Sequence, residues 1–262
     1  MDAEFGAAHF DRVASSYEAT DATSKIAREL LALAPPISAK SAVLDNACGP
    51  GIITSEIKKQ SHSADARICA VDISPAMIEK VREKNLPGVE AGVMDAQNLN
   101  FANDIFTHSF TNMGIFLFPD PEKGAVEIYR TLKPGGIAVV TSIKQAGWIR
   151  IFQSAQRAVK PGVPLWNGML LEEWSTKEKL QSVIEAGGFR KENIDFGTAG
   201  SVMPGSMMGS FLESIKDKAT SMITEGWSKQ EQDGFDVALQ VELERTPSQS
   251  FEIETWVAVA RK

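Results

Sequence analysis

Asp45, Asp72, Asp95 and a glycine-rich loop are the residues of this chain best placed to do chemistry. Asp45 closes a short apolar run, Ala42-Val43-Leu44. Asn46, Ala47, Cys48, Gly49, Pro50 and Gly51 follow it, and then an apolar-periodic stretch. Strand, tight loop, helix is how an open α/β sheet builds a ligand crevice at the carboxyl ends of its strands. Two classes of ligand compete for such a loop. A dinucleotide loop of the G-x-G-x-x-G type needs a third glycine where this chain has Thr54. Beside a pyrophosphate, Asp45 would also set like charges together at short range. Beside a cation it is favourable, so the carboxylate argues for a cationic ligand. An aspartate at a strand end can equally be a plain turn cap. It is the recurrence of three in order that points to a site.

Other reactive side chains are few. The histidines are His9, His62 and His108. His62 falls in a polar loop, and His108 lies inside an expected strand, 106–111, where a structural role is expected. His9, near the start of the chain, is the residue that could serve as a general base. Cys48 and Cys69 form neither a disulfide framework nor a zinc cluster. Cys48 reads as a small buried filler, because no His or Lys neighbours it in sequence.

The elements that must position these groups alternate regularly. Residues 5–34 read as helical, with Ile26, Leu30, Leu31 and Leu33 as a partial stripe stopped by Pro35-Pro36. Strands are expected at 42–45, 67–72, 89–94, 106–111 and 137–142, with helices at 51–61, from Ser74-Pro75, and at 121–132. Apolar strands alternating with helices predict a parallel sheet covered on both faces. Regularity lapses at 145–174. A capping box at Ser175-x-x-Glu178 then opens a helix to Ala186, and 194–198 reads as a sixth strand. Two helices are expected within 203–245. The first carries Met208, Phe211, Leu212, Ile215, Ala219, Met222 and Ile223 on one face, and the second opens at Ser228-x-x-Glu231. In the last strand, 251–260, Phe251, Ile253, Val257 and Val259 share a face.

Composition narrows the partners. The 262 residues are 43% hydrophobic, ample for one large α/β domain with an elaborated segment. A formal charge of −7 would repel nucleic acid and anionic membranes. No run approaches the length of a membrane span, and no secretory signal is visible. The expectation is a cytoplasmic protein with a small-molecule partner, binding neither nucleic acid nor membrane.

Against this background a family resemblance becomes specific. VLDNACGPGIIT resembles the first motif of class I S-adenosylmethionine-dependent methyltransferases. AVDISPAMIEKVREK is similar to the second, VMDAQNLNF to the third, and TNMGIFLFPDPEKGAVEIYRTLKPGGIAVVTS to the fourth through sixth. The likeness runs from about residue 10 to 145, with FEIETWVAVARK like the usual last strand. It is nearest the small-molecule branch that includes fungal natural-product enzymes. The first loop glycine of the family is Ala47 here. The resemblance implies an α/β, Rossmann-like, doubly wound and mostly parallel seven-stranded sheet with an antiparallel last strand, plus helical lid insertions. It further implies S-adenosyl-L-methionine as cofactor. Asp45, Ala47, Cys48, Gly49 and Gly51 would meet its methionine portion, and Asp72 its ribose hydroxyls. Ile73 and Met77 would pack on the adenine, with Asp95 and the Ala96 N–H at its polar edge. Thr111, Asn112 and Met113 would lie near the amino group and methyl. Tyr17 would close over the site, with ordinary helix packing as the alternative.

The implied organisation is a helical lid at 1–40, a cofactor core at 41–145, lid insertions at 146–175 and 199–248, and the rest of the sheet at 176–198 and 249–262. Transfer from a sulfonium is an in-line displacement that alignment alone can drive, so a base is needed only for an acceptor that holds its proton. Trp148, Trp166, Trp174 and Trp227 cluster late in the chain with several methionines. They fit either plain packing or an adaptable apolar lid. Phe116, Trp148, Phe152 and Trp166 are the expected substrate contacts, for a hydrophobic acceptor taking methyl on O, N or C in secondary metabolism. Two alternatives keep the fold: a cyclisation or rearrangement with no methyl transfer, and a non-catalytic binding module.

Overall fold

The structure is a computed structural model that describes residues 3–14, 20–168 and 172–262. Seven strands form one sheet in the order β3-β2-β1-β4-β5-β7-β6. They are β1 (Ala42–Asn46), β2 (Arg67–Asp72), β3 (Val89–Val93), β4 (Phe106–Thr111), β5 (Leu132–Ala146), β6 (Ile194–Pro204) and β7 (Ser250–Arg261). The first five pair in parallel, and β7 runs antiparallel to both neighbours. Central strands buried on both faces must be apolar along their middle, and β1 and β2 are, with polar residues only at their ends: Asp45 and Asn46 in β1, Arg67 and Asp72 in β2.

Helices cover the two faces. On one side α5 (Pro121–Thr131) and α7 (Lys177–Ala186) enclose a core that includes Leu44, Val71, Ile128, Val140, Leu180 and Ala258. On the other, α2 (Asp21–Leu33) and α3 (Ile52–Lys59) cover Val43, Ile68, Phe110, Val139 and Val257. Each fully buried aliphatic of this kind contributes about 1.5–3 kcal/mol relative to exposure. The helix α4 (Pro75–Glu83) is capped by Ser74, whose hydroxyl accepts from the Met77 N–H, and carries Pro75 in its first turn as expected. Asp120 caps α5 in the same way.

A separate apolar cluster joins α6 (Ile149–Val159), α8 (Gly209–Ile223) and α9 (Lys229–Arg245) to the start of β7 through Trp148, Phe152, Leu212, Phe235 and Phe251. The chain enters this cluster at Gly147, whose N–H donates to the Glu252 carbonyl at 2.7 Å. A β-carbon there would lie 2.8 Å from that same oxygen, so only glycine fits.

The structure corrects several sequence expectations. The stretch 5–34 is not one helix: α1 (Ala3–Val13) and α2 are distinct, and a capping box at Thr20 and Thr23 starts the second. The cap of α7 is Thr176, accepting from the Lys179 N–H, and not Ser175. β5 begins at Leu132 and extends to Ala146, and β6 continues past 198 to Pro204, so part of the expected second insertion is sheet. Of the α8 face, Phe211 and Met222 are exposed while Met208, Leu212, Ile215, Ala219 and Ile223 are buried. The box at Ser228 and Glu231 forms as expected.

Candidate cofactor and transfer site

Register brings the strand ends to one edge. Asn46 pairs with Val71, Asp72 with Val93, and Thr111 with Val140. The three aspartates and the loop therefore share the carboxyl edge of the sheet, where open α/β folds place ligands. The loop turns through three left-handed residues, Ala47 (φ 52°), Gly49 (φ 52°) and Gly51 (φ 73°).

Asp45 is fully buried and holds the loop to its helix. Its Oδ2 accepts from the Thr54 hydroxyl at 2.6 Å and from the Thr54 N–H at 3.0 Å. Burial drives its pKa up to about 7, and the Asp72 charge adds to the push, while the Thr54 bonds and Lys84 oppose it. Thr54 at the third glycine position of a dinucleotide loop is thus the partner of the carboxylate.

Asp72 is 8% exposed and grips both sides of the crevice. Its Oδ2 accepts from the Gly49 N–H at 2.8 Å and its Oδ1 from the Ser74 N–H at 2.9 Å. Burial raises its pKa against these bonds. Cys48 lies between the two acids; burial, Asp45 and Asp72 push its thiol well above the ordinary value. It is a neutral filler, not a nucleophile. Ile73 is half-buried and Met77 buried at the start of α4. Asp95 accepts from the Gln97 N–H at 2.9 Å, and Gln97 in turn accepts from the Asp120 N–H at 2.7 Å. Ala96 is buried beside them.

At the end of β4, the Thr111 hydroxyl accepts from Asn46 Nδ2 at 3.3 Å. The Thr141 hydroxyl donates to Asn112 Oδ1 at 2.9 Å and accepts from the Met113 N–H at 2.7 Å. Met113 is itself left-handed, at φ 58°. Thr141 carried no signal in sequence, because a threonine inside an apolar strand reads as ordinary strand content.

The helix α1 contacts both α4, at this edge, and α8. Asp11 Oδ1 accepts from the Ser74 hydroxyl at 2.5 Å and from the Ala76 N–H at 3.1 Å, docking α1 on the start of α4. His9, two residues earlier and so on another face, stands near Lys218 of α8. Burial, Arg12 and Lys218 lower its pKa, leaving a neutral imidazole at pH 7. Sequence reasoning missed Asp11, which has no motif around it. Tyr17 lies outside the described residues. His108 is buried away from this edge, pairing in register with Val43 and Ile137, and its Nδ1 sits 2.9 Å from the Thr107 hydroxyl.

The expected substrate residues divide. Trp148, Phe152 and Trp166 meet one another, with centroids 5.2–6.5 Å apart, and Phe211 stands edge-on to Trp148 at 5.0 Å. Phe116 lies elsewhere, against Trp174 at 6.2 Å. Phe152 is 0% exposed, at the core of the α6, α8 and α9 cluster. Phe211 and Met207, at 38% and 50% exposed, present apolar surface.

These residues fit S-adenosylmethionine. A β-carbon on Gly49 would meet no atom within 4 Å, so the loop leaves open space beside the Asp72 carboxylate. Asn46 Oδ1 is a buried acceptor without a partner at the same strand end. The donor set is acidic and amide in character, suited to an ammonium, a sulfonium and ribose hydroxyls.

Comparison with known proteins agrees. Residues 43–136 match the family model described as a methyltransferase domain. The methyltransferase tpcH of Aspergillus fumigatus is 25% identical over 207 residues, covering 74% of this chain and 72% of the relative. The [4+2]-cyclase SpnF superposes with a TM-score of 0.62 at 17% identity, covering 100% of this chain and 96% of its own. A phosphoethanolamine N-methyltransferase of Haemonchus contortus, solved with phosphomonomethylethanolamine and S-adenosylhomocysteine, gives 0.51 at 19% identity over 90% and 52%. Strand order, an acid-edged loop and the matched domain point one way: residues 43–136 carry a methyltransferase domain, and the chain resembles the class I S-adenosylmethionine-dependent methyltransferases.

Proposed function

We propose that this enzyme methylates O, N or C of a hydrophobic small molecule held between α1 and the aromatic lid. The observation that carries this reading is the position of α1, docked on α4 by Asp11 and lying against α8 by His9. Beside it, Phe211 and Met207 offer an apolar surface backed by Trp148. The Trp166 indole N–H is buried with no partner, at a cost of about 1–3 kcal/mol that an acceptor oxygen would offset.

S-adenosylmethionine supplies a methyl already activated on a sulfonium. Asp72 would hold the ribose hydroxyls; Ala47, Gly49 and Gly51 would let the methionine portion approach the backbone. Ile73 and Met77 would flank the adenine, with Asp95 and Ala96 at its edge. Thr111, Asn112 and Met113, braced by Thr141, would fix the wall nearest the methyl. Alignment and exclusion of water supply the acceleration. Neutral His9 would take the proton of a hydroxyl acceptor. Secondary metabolism in the cytoplasm is the proposed setting, and two free, buried thiols suit a reducing compartment.

The test is transfer of label from methyl-labelled cofactor to a panel of apolar phenols, acids and amines. Label in the product supports the reading. Turnover to a product without label points instead to cyclisation or rearrangement. If His9 is the base, H9Q lowers the rate for phenols about 100-fold and removes the acid limb of the pH profile.

A further inference from the structure

Lys84 follows α4 directly and is half-buried. Its Nζ donates to the Pro50 carbonyl at 2.5 Å, the Gly51 carbonyl at 3.2 Å and the Ser55 hydroxyl at 2.8 Å. All three donors of the ammonium therefore go to the glycine loop and the first turn of α3. The loop needs such a tie. Gly51 caps α3 at φ 73° with no side-chain bond, and the Ser55 hydroxyl donates to its carbonyl at 2.6 Å. Packing reinforces the junction, since a β-carbon on Gly51 would lie 3.0 Å from Val81 of α4.

The opposite end of α4 begins at Ser74 and Met77, where the nucleoside is placed; the loop takes the methionine end. We propose that Lys84 is a positioning residue of the cofactor site, fixing the span between the glycine loop and α4 by holding the Pro50 and Gly51 carbonyls. This rests on the reading that both elements bind S-adenosylmethionine. The charge environment supports it. Burial lowers the lysine's pKa and Lys59 and Lys80 add to that, while Asp45 and Cys48 oppose it. Removing the ammonium would also leave buried Asp45 facing Asp72 and Cys48 without this cation.

The experiment is calorimetric titration of the full chain with S-adenosylhomocysteine, and separately with adenosine, which occupies one end of the span. K84M keeps the aliphatic stem and loses the donors. It is expected to weaken S-adenosylhomocysteine about tenfold while moving adenosine less than about twofold. K84R, which restores a charged donor, is expected to recover binding to within about threefold of the parent. General loosening would weaken both ligands alike and overturns the proposal, as does parent-like S-adenosylhomocysteine binding by K84M. Should K84M not fold, S55A removes one lysine acceptor and the Gly51 clasp. It is expected to cost about threefold for S-adenosylhomocysteine alone, and parent-like binding by it overturns the lysine's role. Failure of the parent chain to bind S-adenosylhomocysteine overturns the cofactor site itself.

Discussion

Ala47 and Gly114 fit each other: a β-carbon on Gly114 would stand 2.8 Å from the Ala47 β-carbon. The left-handed φ of 52° at Ala47 costs about 1–2 kcal/mol for a residue with a side chain. The methyl is tolerated because the facing residue has none. G114A is therefore expected to destabilise the chain by about 1–3 kcal/mol through overpacking, read as a lower denaturation midpoint. Adding A47G should recover most of that loss, because the clash needs both carbons. Strictly additive single-mutant effects would show that the contact is not the cause.

Asp72 binds the crevice together before any ligand arrives, through the Gly49 and Ser74 amides. D72A removes both acceptors and the proposed ribose contact. Bonds to a charged group are worth about 1.5–3 kcal/mol each, so S-adenosylhomocysteine should weaken at least about 100-fold by calorimetry. A loss under about threefold would place the ribose elsewhere.

Much of this was legible in the sequence, and the rest was hidden for physical reasons. The strand β2 and the caps Ser74 and Asp120 were readable because an apolar run and cap chemistry are local. The position of Thr176 as cap of α7 was not, since Ser175 offers the same chemistry one residue earlier. Asp11 and Lys84 were invisible for a different reason. Each acts on an element distant in the chain, Asp11 on Ser74 and Lys84 on Pro50, and nothing local marks them. Asp45 was legible as a charge with a sign. Its bonds to Thr54 became visible only once the loop had folded back.

Asp45 also predicts a pH effect. Its folded pKa of about 7 lies above its ordinary 3.8, so between those values the folded chain keeps a proton that the unfolded chain has released. The contribution to stability is then greatest below pH 4, falls as pH rises toward 7, and is level above that. D45N removes this titration. Denaturant unfolding at pH 5 and pH 8 should show the parent losing stability relative to D45N as pH rises, and parallel pH dependence of the two would refute the assignment.

The lid aromatics separate packing from recognition. Phe152 is fully buried among Trp148 and Trp166, so F152A should cost about 3–5 kcal/mol of stability by opening a cavity. Phe211 touches the same Trp148 yet stays 38% exposed, so F211A should cost about 1 kcal/mol or less. If the acceptor rests on that exposed ring, F211A raises the acceptor KM and leaves S-adenosylhomocysteine binding unchanged. The pairing matters because both rings lean on one tryptophan. A change in Trp148 packing alone would affect stability and KM together in either variant. Loss of acceptor affinity in F211A without loss of stability can come only from the exposed face of the ring. An unaltered acceptor KM in F211A would move the acceptor away from α8.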